Sequence, residues 1–127
     1  MYIRGMAAAM PRRRVLFIED EPALRSSYQR AFAQRYEAAY ATTGAEALRL
    51  LAEHRPDVAV LDLRLPDTDG IDLLRRLRAQ VPSLPVIITS AYMSFEPQLK
   101  VLDLPHHGYL VKPFDLADLA QRIDAVG

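Results

Sequence analysis

Glu19-Asp20, Asp62, Ser90 and Lys112 each stand behind a short apolar run, and these residue types together can hold a cation and handle a phosphoryl group. Val15-Leu16-Phe17-Ile18 runs into Glu19-Asp20, and Val58-Ala59-Val60-Leu61 into Asp62. Val86-Ile87-Ile88 leads to Thr89-Ser90, and Tyr109-Leu110-Val111 to Lys112-Pro113. If the four runs are strands of one parallel sheet, three carboxylates, a hydroxyl and an ammonium collect at a single edge. Carboxylates crowded in a shielded pocket repel one another, so protons or a cation must relieve them. All-oxygen ligation selects a hard ion, and an open site that keeps several waters suits magnesium better than a full calcium cage. Such an ion also balances the charge of an incoming phosphate. A carboxylate placed beside it can attack phosphorus and become an aspartyl phosphate.

Lys112 stands out because the chain has 14 arginines and only 2 lysines. Where arginine is the habitual cation, a lysine points to a site wanting a compact point charge. Each signal has a bland reading when taken singly. Lys112 can be a surface residue at a strand end, Asp62 a turn residue, and Glu19-Asp20-Glu21 a cap for the helix that opens at Pro22. Four strand ends with matching chemistry favour the functional reading.

The elements that must position these groups follow from periodicity. After residue 14, short apolar runs alternate with amphipathic stretches about five times, the pattern of a parallel sheet covered by helices. Continuous apolar character in the runs is what strands buried on both faces show. Pro22 to Ala33 opens with proline at a tolerated first-turn position and places Leu24, Tyr28, Ala31 and Phe32 on one stripe. Thr43 and Glu46 form a capping-box pattern ahead of Ala47, Leu48, Leu51 and Ala52. Gly70 to Ala79 predicts a helix with Leu73 and Leu77 inward, and Asp115 an N-cap for Leu116, Leu119, Ala120 and Ile123. The second strand, Ala38-Ala39-Tyr40-Ala41, has poor strand propensity and is assigned by position. Pro97 and Pro105 confine the fourth helix to a short stretch near Gln98 to Asp103.

These elements predict an α/β, flavodoxin-like doubly wound sheet of five parallel strands, order 2-1-3-4-5, with helices on both faces. In such sheets ligands sit beyond the carboxyl ends of the strands at the topological switch point. Here that point lies between strands one and three, which carry the acids.

At 127 residues the chain suffices for one domain with a real core. No apolar run approaches the ~18 residues of a membrane helix, and with no cysteine there is no disulfide or thiolate site. A reducing, cytoplasmic setting is expected. Net charge is zero, but Arg4, Arg12, Arg13 and Arg14 make the start basic, leaving 12 cations against 16 acids beyond it. That body is a poor partner for nucleic acid, which needs clustered cations. Residues 1–13 read as a disordered basic tail rather than a signal peptide, and 14–127 as the folded domain. His106-His107 reads as polar loop and Arg75, Arg76 and Arg78 as a solvated helix face.

The segments Val15 to Pro22 (VLFIEDEP), Asp57 to Gly70 (DVAVLDLRLPDTDG), Pro85 to Ala91 (PVIITSA) and Gly108 to Phe114 (GYLVKPF) give the chain its resemblance. It resembles the receiver domain of two-component response regulators over roughly residues 14 to 126. The resemblance implies Asp62 as phosphoacceptor from a histidine-kinase phosphohistidine. It implies Glu19, Asp20, Asp62 and the main-chain carbonyl of Arg64 as Mg2+ ligands, with Asp20 the more direct of the acidic pair. Ser90 matches the hydroxyl that moves onto the phosphoryl oxygens, Lys112 the cation that pairs with them, and Tyr109 the aromatic switch. Glu19 replaces the commoner aspartate. Arg64 and Tyr92 match positions that tune hydrolysis of the acyl phosphate, and their bulk predicts a persistent phosphoryl group.

The implied partners are a sensor histidine kinase or phosphotransfer protein and a downstream effector or fused output domain, with room for a phosphorylation-linked dimer. No membrane or direct nucleic-acid contact is implied. The output face would comprise the fourth helix, fifth strand and fifth helix. His106-His107, Pro97 and Pro105 depart from the family's usual pattern near that face. The module would be a switch, not an enzyme beyond its own phosphorylation and dephosphorylation. A phosphorylation-independent pseudo-receiver is the alternative, disfavoured by the retained Asp62, Asp20, Ser90 and Lys112. An aspartate-nucleophile phosphatase would want a second carboxylate where Arg64 stands.

Overall fold

The structure is a computed structural model, which describes residues 12–92, 97 and 107–126. Five strands form one parallel sheet: β1 (Arg14–Ile18), β2 (Glu37–Ala41), β3 (Val58–Asp62), β4 (Val86–Ser90) and β5 (Gly108–Val111). Their order across the sheet is β2-β1-β3-β4-β5, the doubly wound order adopted for the sequence. Four helices are described: α1 (Pro22–Phe32), α2 (Gly44–His54), α3 (Gly70–Gln80) and α4 (Leu116–Ala125). The helix predicted near Gln98 to Asp103 lies outside the described residues, as does the tail through residue 11.

The core divides into two layers, one on each face of the sheet. Leu16, Ile18, Leu61 and Ile88 pack with Leu51 of α2 and with Leu73, Leu74 and Leu77 of α3. Phe17, Val60, Ile87 and Leu110 pack on the opposite face with Tyr28 and Phe32 of α1 and Leu119 and Ile123 of α4. β3 and β4 are buried along their whole length, which is why their sequences are continuously apolar. On the α1 side, Phe17 stacks on Phe32 at 5.5 Å and on Tyr40 at 5.4 Å between ring centroids. That aromatic contact compensates β2 for its alanines. Ala31 and Ala52, predicted on the inward stripes, are exposed at the stripes' edges.

Helix starts follow local chemistry. Pro22 occupies the first turn of α1, where its missing N–H costs nothing. Thr43 Oγ1 accepts from Glu46 N at 3.1 Å, while Glu46 Oε1 accepts from Thr42 N at 2.7 Å, one residue before the cap. Asp69 caps α3 through Ile71 N. Asp115 stands at the N-cap of α4 without a side-chain bond to the helix. Arg12 and Arg13 bond to the body through the carbonyls of Ala33 and Val126.

Candidate functional site

The sheet register assembles the site. Ile18 is level with Leu61, so the next residues, Glu19 and Asp62, end side by side at the carboxyl edge. Asp62 is level with Thr89, and Ser90 with Val111, which delivers Lys112 to the same edge. The ladder continues one bond past the strands: Leu63 N donates to Thr89 O and Lys112 N to Ser90 O at 2.8 Å. The Lys112–Pro113 peptide is cis.

Glu19 and Asp62 are 1% and 4% exposed, so neither carboxylate is solvated enough to stand unpaired. Lys112 Nζ lies 3.1 Å from Asp62 Oδ2, and 3.0 and 3.3 Å from Glu19 Oε1 and Oε2. The contact to Oε1 is an ion pair whose angles leave that oxygen without a hydrogen bond. Asp62 Oδ1 accepts from Arg64 N at 3.1 Å, and Glu19 Oε2 from Glu21 N at 3.1 Å. Burial, then the charge of Asp62, pushes the Glu19 carboxyl up to about 7, with Lys112 pulling the other way. Burial pushes the Lys112 ammonium down, but Asp62 and Glu19 outweigh it and its affinity for the proton rises.

One ammonium cannot neutralise two buried carboxylates and half-buried Asp20 beside them. Ligand oxygens of Glu19, Asp20 and Asp62 all lie within 4.8 Å of one another. An all-oxygen set with excess negative charge and a buried oxygen lacking a hydrogen bond fits a hard divalent cation. The groups border an open cleft of about 460 Å³ lined also by Arg64, Ala91 and Lys112. A larger cleft of about 680 Å³ at the opposite end of the sheet is framed by Arg12, Arg13 and Arg14. Arg12 and Arg13 donate there to main-chain carbonyls and Arg14 pairs with Glu37, so that cleft lacks comparable chemistry.

The loop after β3 is built to hold its backbone still. Gly70 N donates to Leu63 O, Arg64 and Asp69 form a bridge, and Asp67 accepts from Gly44 N at 2.7 Å and Ala45 N at 3.2 Å. Those bonds hold the Asp67 carboxyl below the usual range, chiefly through Gly44. Gly70 permits a close approach: a Cβ there would lie 2.3 Å from Leu63 Cα. Sequence reasoning missed Asp67, whose only signal was a polar turn, Pro66-Asp67-Thr68-Asp69-Gly70.

Ser90 is fully buried, and its Oγ accepts from Tyr92 N at 3.0 Å. Half-buried Tyr109 donates its hydroxyl to the Tyr92 carbonyl. Arg64 Nη1 donates to Tyr92 Oη at 3.2 Å, and its guanidinium lies 5.8 Å from the centre of the Tyr92 ring. The structure therefore brings Glu19, Asp20, Asp62, Arg64 and Lys112 together at this edge, with Ser90, Tyr92 and Tyr109 linked to one another beside them.

The model of the response regulator receiver domain matches residues 15–124. The chain belongs to the response regulator receiver family. It is 40% identical over 114 residues to the transcriptional regulatory protein PrrA of Mycobacterium tuberculosis, covering 89% of this chain and 49% of that protein. Among solved structures, the receiver domain of Francisella response regulator 1452 is 34% identical with a TM-score of 0.78, covering 88% of this chain and 93% of that one. The response regulator TrrA of Thermotoga maritima, solved with Mg(2+)-BeF, is 25% identical with a TM-score of 0.78, covering 88% and 96%. This receiver domain spans about half the length, or less, of the curated relatives it matches. No helix among the described residues is long and apolar enough to cross a membrane.

Proposed function

We propose that this receiver domain is a phosphorylation-gated switch with Asp62 as its phosphoacceptor, Mg2+ as its cofactor and a phosphohistidine as its donor. The single observation that carries the reading is Lys112 Nζ bridging Asp62 and Glu19 within 3.1 Å, beside an acid cluster wanting a cation. The TrrA relative, solved with Mg(2+)-BeF, supports the same pocket chemistry here.

An Asp62 oxygen attacks phosphorus, the P–N bond breaks, and the imidazole nitrogen leaves with the bonding pair and takes up a proton. Glu19, Asp20, Asp62 and the Arg64 carbonyl would hold a magnesium ion, which when bound would balance the charge of the phosphoryl oxygens. Lys112 stays at the edge as a fixed cation, its ammonium free to turn from the carboxylates toward the new oxygens. Ser90 exchanges its bond from Tyr92 N for one to the phosphoryl group, and Tyr109 follows. The added charge biases a two-state surface toward the form that binds a downstream effector or output domain. Phosphorylation can shift that balance only by its differential interaction with the two states.

Arg64 lines the cleft at Asp62 and is bonded to Tyr92, which supports slow loss of the phosphoryl group. Arg64 also supplies no carboxylate for acid–base turnover of an external substrate, so chemistry is confined to the domain's own Asp62. Treatment with a small phosphodonor and magnesium, followed by borohydride reduction and peptide mapping, tests the assignment. Conversion of Asp62 to homoserine is the expected result; a label on another carboxylate would overturn it.

A further inference from the structure

Three buried polar side-chain atoms among the described residues make no hydrogen bond within the protein: Tyr28 Oη, Thr89 Oγ1 and Glu19 Oε1, the last of which faces only the Lys112 ammonium, as an ion pair at 3.0 Å. All three belong to one face of the sheet. Strand alternation puts Glu19 with Val15 and Phe17, Asp62 with Val58 and Val60, and Thr89 with Ile87, all on the side covered by α1 and α4. Register then sets Glu19, Asp62 and Thr89 in one row across three adjacent strands.

Tyr28 covers that row from above. It is fully buried, and its ring lies 4.9 Å from that of Phe17, two residues before Glu19. Helical side chains lean toward the helix N-terminus, and α1 begins just after β1 at the carboxyl edge of the sheet, so the phenol reaches toward the acid site. Burial, then the charges of Glu19, Asp62 and Glu21, pushes the Tyr28 hydroxyl up, so it remains a donor. The two hydroxyls occupy positions where an apolar core would place only hydrocarbon, and buried polar groups persist when they are paired or bridged by water.

We propose that Tyr28 is a positioning residue for the acid site: with Thr89 it holds one buried water against Glu19 Oε1, and this relay fixes the Glu19 carboxylate for the cation. The inference rests on the cation site proposed above. Three partners suit a buried water, which commonly makes two to four bonds. Partners placed behind a metal ligand orient it and sustain its affinity.

Magnesium titration of the full chain by calorimetry, for wild type, Tyr28→Phe and Thr89→Val, tests it. Both variants keep side-chain volume, and each is expected to weaken magnesium binding about tenfold, the lower end for partners behind a ligand, without lowering the unfolding midpoint of the metal-free protein. In the wild type, the Tyr28 hydroxyl proton should exchange slowly and its resonance should move on magnesium addition, which packing alone would not produce. A high-resolution crystal structure should show one water between the three oxygens. Wild-type binding with unchanged affinity in both variants, or a dry contact with a rapidly exchanging hydroxyl, would overturn the relay and leave the cation site standing. A wild type that binds no magnesium would instead overturn the site reading, and the relay with it.

Discussion

Tyr109 donates its hydroxyl to the main-chain carbonyl of Tyr92, the residue whose own N–H is bonded to Ser90 Oγ. The two switch positions inferred from the sequence are thus tied to opposite ends of one residue. A Ser90 hydroxyl drawn toward a phosphoryl group must release Tyr92 N, and the Tyr109 tether is then loosened from the other side. Removing the tether without phosphate should imitate part of that change. Tyr109→Phe loses one hydrogen bond, about 0.5–1.5 kcal/mol, which moves the ring's equilibrium by roughly two- to tenfold. Backbone amide shifts of Ser90 to Tyr92 and of β5 in unphosphorylated Tyr109→Phe should move toward those of the beryllofluoride-treated wild type; unchanged shifts would show that the tether does not hold the ring.

Glu19 makes metal-free stability depend on pH in a direction opposite to an ordinary paired carboxylate. Its folded value of about 7 lies above its ordinary 4.5, so the folded state holds a proton that the unfolded state has released. That contribution is full below about 4.5, falls as pH rises toward 7 and is gone above it. Urea unfolding of wild type minus Glu19→Gln should show this falling limb without magnesium. Magnesium should displace the proton and flatten it.

Lys112→Met leaves Glu19 and Asp62 buried without their ammonium. Breaking such a pair costs on the order of 3 kcal/mol, and protonation of Glu19 relieves part of that at lower pH. Destabilisation measured by urea should therefore be larger at pH 8 than at pH 6 and should shrink when magnesium is added.

Much of this site was legible because a parallel sheet converts strand order into proximity. Apolar runs ending in Glu19-Asp20 and Asp62 fix which residues meet once the order 2-1-3-4-5 is adopted. What the sequence did not reveal depends on side-chain reach. Asp67 bonds 23 residues back to Gly44, and no local spacing signals that. Tyr28 reads as an ordinary core residue on the α1 stripe, and only three dimensions show its hydroxyl without a protein partner. Thr89 was hidden by standing beside Ser90, on the opposite face of β4.

The loop carrying Arg64 should fail in a graded way. Gly70→Ala drives a Cβ into the Leu63 backbone, where nothing flexible can yield, and should cost about 1–3 kcal/mol. Asp67→Ala removes two bonds at the start of α2 and should lower the unfolding midpoint by less than Gly70→Ala does. Both should also weaken magnesium binding, as followed by calorimetry, since the Arg64 carbonyl rides on this loop.

The bridge between Arg64 and Tyr92 should slow hydrolysis. Tyr92→Ala and Arg64→Ala are each expected to shed the phosphoryl group several-fold faster than wild type, followed by the decay of phosphorylated protein on phosphate-affinity gels. Equal or slower loss in both would remove this role.

Asp62 is expected to take up phosphate in a magnesium pocket shared with Glu19, Asp20 and Lys112. Intact mass after exposure to a small phosphodonor, with and without magnesium, tests it most directly for wild type and Asp62→Asn. One added phosphoryl group on wild type, only with magnesium, and none on Asp62→Asn is the predicted result. An unmodified wild type, or equal modification of both proteins, would contradict it.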